Sequence, residues 1–282
     1  MGRLRQRGSI HIFASKKRPE IPRHMKLIST EVGMGRLSGK VALISGGARG
    51  QGESEARLFV REGAKVVFGD ILDEQGRMVE SDINKDGGGA KYTHLDVTKE
   101  SEWVSAVEVT EKTYGKLDIL VNNAGVVGAP GWWDRKIPSD EDWSAVLNIN
   151  LMGVVYMSQA VEPYLKEQNY GKIINIASIA ARQGGPSIPH YNASKAAVVS
   201  WTQSHALQLP PYNINVNAIC PGLLWTPLFE HLIDRPGYME NESLAGLTGR
   251  SRFEKMVELT IPMGKEQTPE DIGKTAAFLA SD

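Results

Sequence analysis

From Lys40 onward, short runs rich in β-branched apolar residues alternate with longer stretches whose apolar positions recur at helical spacing, as in parallel sheets buried on both faces. The pattern predicts strands over 41–45, 65–69, 91–95, 118–121, 172–177 and 213–219. Between them it predicts helices over 53–62, 73–85, 100–114, 140–168 and 191–208, the first ended by Gly63 and the second by Gly87, Gly88 and Gly89. Six strands with intervening helices make a Rossmann-like doubly wound parallel sheet in one domain, 34–282, and a chain of 282 residues leaves little room for another.

The first 33 residues break the pattern. Eight Lys or Arg stand there against Glu20 and Glu31, so the segment carries +6 and, with a chain total of -1, the remainder carries -7. Three readings stay open for it: a disordered extension, a transit-type signal, or an arm for polyanions. Elsewhere charge is mixed and gives no argument for nucleic acid or an anionic membrane, which leaves a small molecule as the expected partner. No uninterrupted apolar run reaches the ~18 residues of a membrane span. Cys220, without a second cysteine, reads as a reduced thiol packed at a strand end, and the expected location is cytoplasmic. No metal site is expected.

Chemistry begins immediately after the first strand, at Ser45-Gly46-Gly47-Ala48-Arg49-Gly50-Gln51-Gly52. Glycines at 46, 50 and 52 let the backbone turn tightly and approach a pyrophosphate, which then sits at a helix N-terminus beside Arg49 and Gln51. A glycine-rich turn alone also serves simple steric needs. Asp70, 18 residues past Gly52 and followed by Ile71, adds a carboxylate at the end of the second strand. Such an acid bonds ribose hydroxyls and repels a 2′-phosphate, so NAD is expected over NADP, with Arg49 the feature that favours a phosphate.

Further along, Asp96-Val97, Asn122-Asn123-Ala124-Gly125, Asn150-Leu151-Met152-Gly153, the set Ser178, Tyr191 and Lys195, and Pro221-Gly222 with Thr226 follow in order. With the glycine turn, these motifs resemble the short-chain dehydrogenase/reductase family from about Leu37 to the C-terminus. NAD-dependent alcohol, polyol and hydroxysteroid dehydrogenases are the nearest in kind. The resemblance implies hydride transfer between NAD(H) and a secondary alcohol or ketone. It makes Tyr191 the general acid/base, Lys195 its partner and a ribose contact, Ser178 the group that binds the substrate oxygen, and Asn150 the anchor of a proton-relay water. It also implies cofactor contacts from Asp96, Val97, Asn123, Ala124, Gly125, Leu224 and Thr226, and a homotetramer or dimer. Independently, a tyrosine near pKa ~10 needs a positive neighbour to act as a base, and Lys195 lies one helical turn from Tyr191. Each residue also has a plainer reading: Tyr191 and Lys195 as a surface pair, Ser178 as a turn cap, Asn150 as a packing residue.

Substrate choice is expected in three loops: 126–140 with Trp132 and Trp133, 182–189, and a mobile lid over 223–263 with Trp225. Gln183 and Trp225 are assigned to the substrate pocket, and His190 is a further candidate. The paired tryptophans fit an apolar, ring-bearing substrate or, equally, packing of the lid on the body. The family usually continues past Asp282 into a last strand, so the sheet is expected to lack that strand. The competing functions are an NADPH-dependent ketone or oxoacyl reductase and a non-catalytic NAD-binding scaffold; Asp70 argues against the first, and retention of Ser178, Tyr191 and Lys195 against the second.

Overall fold

The computed structural model describes residues 35–85 and 87–282. Six strands form one parallel sheet: β1 (Val41–Ser45), β2 (Lys65–Asp70), β3 (Ala90–His94), β4 (Ile119–Asn122), β5 (Gly171–Ile176) and β6 (Ile214–Ile219). Their order, β3-β2-β1-β4-β5-β6, reverses between β1 and β4, and in open α/β sheets ligands bind at the carboxyl ends of strands flanking such a switch. Register across the switch pairs Ser45 with both Gly69 and Asn122, so the glycine turn, the acid after Gly69 and the Asn-Asn-Ala-Gly segment all emerge at one level.

Strand alternation sends neighbouring residues to opposite faces, and both are covered. Ile44, Val66, Phe68 and Val121 pack under α1 (Gly50–Arg61) and α2 (Asp73–Lys85). Leu43, Val67 and Leu120 pack under α3 (Glu100–Tyr114) and the helix beyond β4. The expected 140–168 helix is continuous but not uniform: α4 (Asp140–Val146) passes through a π turn (Leu147–Met152) into α5 (Gly153–Glu167). This run is long and apolar enough to cross a bilayer by composition alone, yet Met157, Val161 and Leu165 are fully buried against the sheet. A π turn adds one residue to the helical repeat and so re-aims side chains, here that of Asn150.

α6 (Pro189–Gln208) starts two residues before expectation, with proline in its first turn, where no backbone N–H is required. Beyond β6 the lid is a packed unit. α7 (Pro227–Ile233) and α8 (Gly249–Thr260) enclose their own core of Phe229, Leu232, Ile233, Leu244, Phe253 and Met256. The sequence reading assigned no element to 264–282, where α9 (Pro269–Ala280) forms. Its start was legible, since Thr268 and Asp271 make a capping box around Pro269, and Ile272, Ala276, Ala277 and Ala280 cover α1.

Candidate active site

The nucleotide end of the site is shaped by what its residues lack. Gly46 has φ +70°, and a Cβ there would lie 2.8 Å from the Ala124 Cα. A Cβ on Gly52 would lie 2.2 Å from the Gly46 carbonyl oxygen and 2.4 Å from Asn123 Nδ2. The turn therefore closes backbone on backbone, and Gly50, at φ +60°, opens α1 toward the cavity. Asn123 holds it closed: its Nδ2 donates to the carbonyls of Ser45 at 3.1 Å and Gly46 at 3.0 Å, and its Oδ1 accepts from Gln51 at 3.3 Å. The Ser45 hydroxyl oxygen accepts the N–H groups of Asn123 and Ala124, both at 3.2 Å. Asn123 borders the cavity, but its side chain is committed to the turn. Asn122 is wholly internal, bonded to Ser158 and Asn175.

Asp70 stands at the end of β2 with one carboxylate oxygen on the Ala48 N–H at 3.1 Å and the other on the Leu72 N–H at 3.1 Å. Two backbone donors fix the carboxylate plane while leaving acceptor capacity toward the cavity. Ile71, Leu72, Leu95, Asp96 and Val97 continue the wall.

The same cavity, about 380 Å³, runs on to Ser178, Tyr191 and Lys195. β5 ends at Ile176, so Ser178 emerges from the sheet's carboxyl edge, its hydroxyl oxygen accepting the Ala180 N–H at 3.1 Å. Lys195 Nζ is buried, donates to the Ile176 carbonyl at 2.8 Å and lies 5.9 Å from the centre of the Tyr191 ring. Burial pulls its amine down to about 8, with Cys220, part-buried beside it, pulling the other way. Burial likewise raises the Tyr191 phenol, opposed by the neighbouring Ser178 hydroxyl. The lysine therefore lies under the ring without making the phenol acidic, and Tyr191 holds its proton across neutral pH. Gly125 is the close-approach point: a Cβ there would lie 3.3 Å from both Lys195 Nζ and Asn150 Oδ1.

Asn150 is fully buried and adjoins the cavity from behind. Its carboxamide clasps Val126 twice, donating to the carbonyl and accepting from the N–H, each at 2.8 Å, and donates to Ser194 on α6 at 3.0 Å. These bonds join the loop after β4 to the helix of Tyr191.

Of the residues assigned from sequence, the cavity wall brings together Gly46, Arg49, Gly50, Gln51, Gly52, Asp70, Ile71, Asp96, Val97, Asn123, Ala124, Gly125, Ser178, Tyr191, Lys195, Leu224 and Thr226. Gln183 is not among them; it is exposed on the loop before α6. Trp225 turns away to pack on Phe253, ring centres 5.1 Å apart, with Arg250 over its face. His190 is buried, its Nε2 on the Val127 carbonyl at 2.6 Å, and burial lowers its pKa. Trp132 is sealed between His190 and Arg235, and Trp133 packs toward His231, which decides for lid packing over substrate contact. Sequence reasoning missed the lid-side lining of Ile188, Leu228, Phe229, Leu232 and Tyr238, for which no local signal existed.

Comparison with known proteins gives the family. The family description "short chain dehydrogenase" matches residues 40–236. The chain belongs to the short-chain dehydrogenase family. A 3-alpha-(or 20-beta)-hydroxysteroid dehydrogenase of Mycobacterium tuberculosis is 46% identical over 194 residues, 69% of this chain and 72% of the relative. A cyclopentanol dehydrogenase of Comamonas testosteroni is 34% identical over 249 residues, 88% of this chain and 92% of the relative. Among solved structures, a 3-ketoacyl-(acyl-carrier-protein) reductase of Brucella melitensis complexed with NADH superposes with a TM-score of 0.72 at 33% identity, covering 87% of this chain and 92% of that one. As a short-chain dehydrogenase the protein is an oxidoreductase, and its fold, a single six-stranded parallel sheet flanked by helices, is that of its structural neighbours.

Proposed function

We propose that this short-chain dehydrogenase uses NAD(H) and interconverts a secondary alcohol and its ketone, with Tyr191 exchanging the proton. The observation that carries the reading is the continuity of one cavity from a glycine turn and the Asp70 carboxylate at one end to Ser178, Tyr191 and Lys195 at the other.

The residues fit a nicotinamide dinucleotide. Gly46, Gly50 and Gly52 bare the backbone where a pyrophosphate meets the start of α1, and the fixed Asp70 carboxylate matches a ribose diol and opposes a 2′-phosphate. The NADH bound by the Brucella reductase supports this choice. When bound, the nicotinamide supplies the hydride donor or acceptor. The chain's own groups handle the proton. In reduction the neutral Tyr191 phenol donates to the carbonyl oxygen as it becomes a hydroxyl; in oxidation the phenolate takes that proton back. Ser178, at the cavity edge of β5, orients the substrate oxygen toward the phenol. Lys195 is held on Ile176 at the cavity floor, and Asn150 fixes the Val126 loop against α6 so that Lys195, Gly125 and Tyr191 keep their spacing.

Because burial raises the phenol, the rate of ketone reduction holds through neutral pH and falls as Tyr191 deprotonates, whereas alcohol oxidation rises over the same alkaline range. The test is steady-state turnover of NAD and, separately, NADP with a panel of secondary alcohols. Tyr191→Phe should lower kcat on the order of 10²–10⁴-fold while leaving dinucleotide binding intact. Equal turnover in the variant, or a preference for NADP, would overturn the corresponding half of the reading.

A further inference from the structure

Past Thr226, the cavity is walled by Leu228, Phe229 and Leu232 and by Val127 and Ile188. Tyr238 interrupts that apolar surface. Its ring is buried, meeting Phe229 edge-on at 6.1 Å between centres. Tyr238 lines the cavity, and among the described residues its hydroxyl has no hydrogen-bond partner and is not fully sealed from solvent.

The phenol is held in place by unusual care in its backbone. The residues on either side adopt left-handed conformations, Gly237 at φ +79° and Met239 at φ +45°. Ser187 pins both: its hydroxyl donates to the Gly237 carbonyl at 3.1 Å and accepts the Met239 N–H at 3.3 Å. The Tyr238 carbonyl accepts from Arg252 at 3.0 Å, and its N–H donates to the Arg235 carbonyl at 3.0 Å. Arg235, itself buried, reaches the Ser187 carbonyl at 3.1 Å and that of Lys136 at 3.0 Å, with its guanidinium 3.6 Å from the Trp132 ring centre. Ser187 lies four residues before Tyr191, so the segment that positions Tyr238 leads directly into the helix of the reacting phenol. Tyr191 and Tyr238 thus both line the cavity, on segments tied together through Ser187. Burial, together with the nearby Tyr191 phenol, raises the Tyr238 pKa, so Tyr238 remains a neutral donor over the working pH range.

We propose that Tyr238 is a specificity-determining residue whose hydroxyl binds a second oxygen of the substrate, and that the substrate is an apolar alcohol or ketone carrying that oxygen away from the reacting carbon. The proposal rests on the reading of Tyr191 given above. A ligand with one oxygen strips water from the Tyr238 hydroxyl and offers nothing in return. A ligand with a second oxygen replaces the lost bond, a discrimination of about tenfold or more. The apolar lining of Val127, Ile188, Leu228, Phe229 and Leu232 accommodates the carbon body.

The test compares a bicyclic monoketone, decalone, with decalin-dione in isomers that place the second carbonyl at different positions. Calorimetric binding to Tyr191→Phe with reduced dinucleotide present removes chemistry from the measurement. At least one dione should bind about tenfold tighter than decalone, and adding Tyr238→Phe, which keeps the ring and its packing, should bring the two to parity. No dione advantage, an advantage that persists without the hydroxyl, equal losses for both ligands, or no binding of either would each overturn the proposal. Turnover of the corresponding alcohols by the unmodified protein and by Tyr191→Phe is read separately. Activity surviving in Tyr191→Phe would overturn the proton-exchange reading, while the affinity ratio still judges Tyr238.

Discussion

The two ends of the cavity are built by opposite means. At the nucleotide end, precision comes from missing side chains: glycine backbones lie against one another and against the Asn123 carboxamide, and a single added methyl would meet an oxygen at 2.2 Å. At the lid end it comes from large side chains: Trp132 meets His190 edge-on and lies against the buried Arg235, which donates to loop carbonyls, and Phe229 meets Phe253 edge-on. The first construction tolerates almost no change, because its nearest neighbours are backbone and a carboxamide already committed to the turn. The second can be rebuilt with other large residues, so a common cofactor end can be joined to different substrate chambers.

Four changes would break or sharpen that contrast. The largest effect is expected at Gly52→Ala, where overpacking against the Gly46 carbonyl costs about 1–3 kcal/mol and displaces the turn. Fluorescence titration should show affinity for both dinucleotides falling about tenfold to a hundredfold. An unchanged affinity would mean that the turn yields as readily as the lid.

Asp70→Asn removes charge without changing shape. The ratio of NAD to NADP specificity, from kcat/KM with each, should fall about tenfold or more, since hydrogen bonds to a charged group contribute about 1.5–3 kcal/mol. The substrate KM should stay as it was, because the change lies at the other end of the cavity.

Arg235→Met tests the lid. It leaves the carbonyls of Ser187, Arg135 and Lys136 without their donor, which should lower Tm by about 5 °C and raise substrate KM several-fold while dinucleotide affinity holds. A loss of cofactor affinity as large as the change in KM would show that the two ends are mechanically one.

The smallest effect concerns Glu55, fully buried on α1, with one oxygen on Gln51 at 3.4 Å and the other unpartnered. Burial raises its carboxyl to about 8, opposed by the Gln51 bond. The folded state therefore binds a proton that the unfolded chain releases near 4.5, so this contribution to stability is complete below about 4.5 and is lost as pH rises through about 8. Thermal melts at about pH 5 and about pH 9 should show Glu55→Gln flattening that decline by a few degrees at the alkaline end. Because Gln51 also bonds Asn123, the same melts with dinucleotide present report whether the charge is felt at the turn.

Strand positions, the glycine turn, Asp70 and the order Ser178, Tyr191, Lys195 were all readable along the chain, because each depends on local periodicity or on a short motif beside a strand end. The start of α9 is likewise marked in the sequence, by Thr268 and Asp271 around Pro269. The use of each side chain was not readable. Asn123 borders the cavity, yet its carboxamide closes the turn; Asn150, in a π turn, clasps a loop 24 residues away; Gln183, Trp225 and His190 look like pocket residues and face solvent or core.

What the sequence determined by itself was therefore the sheet, the switch point and the chemical class of the residues gathered there, since these follow from spacing within single elements. What only the tertiary structure decided was the chamber: the lid's own core, the burial of Arg235 and Trp132, and the arrival of Tyr238 in the cavity wall. Those depend on contacts between segments 50 and 100 residues apart, and the direction in which a loop side chain points is set by the packing that such contacts make, not by its neighbours in sequence.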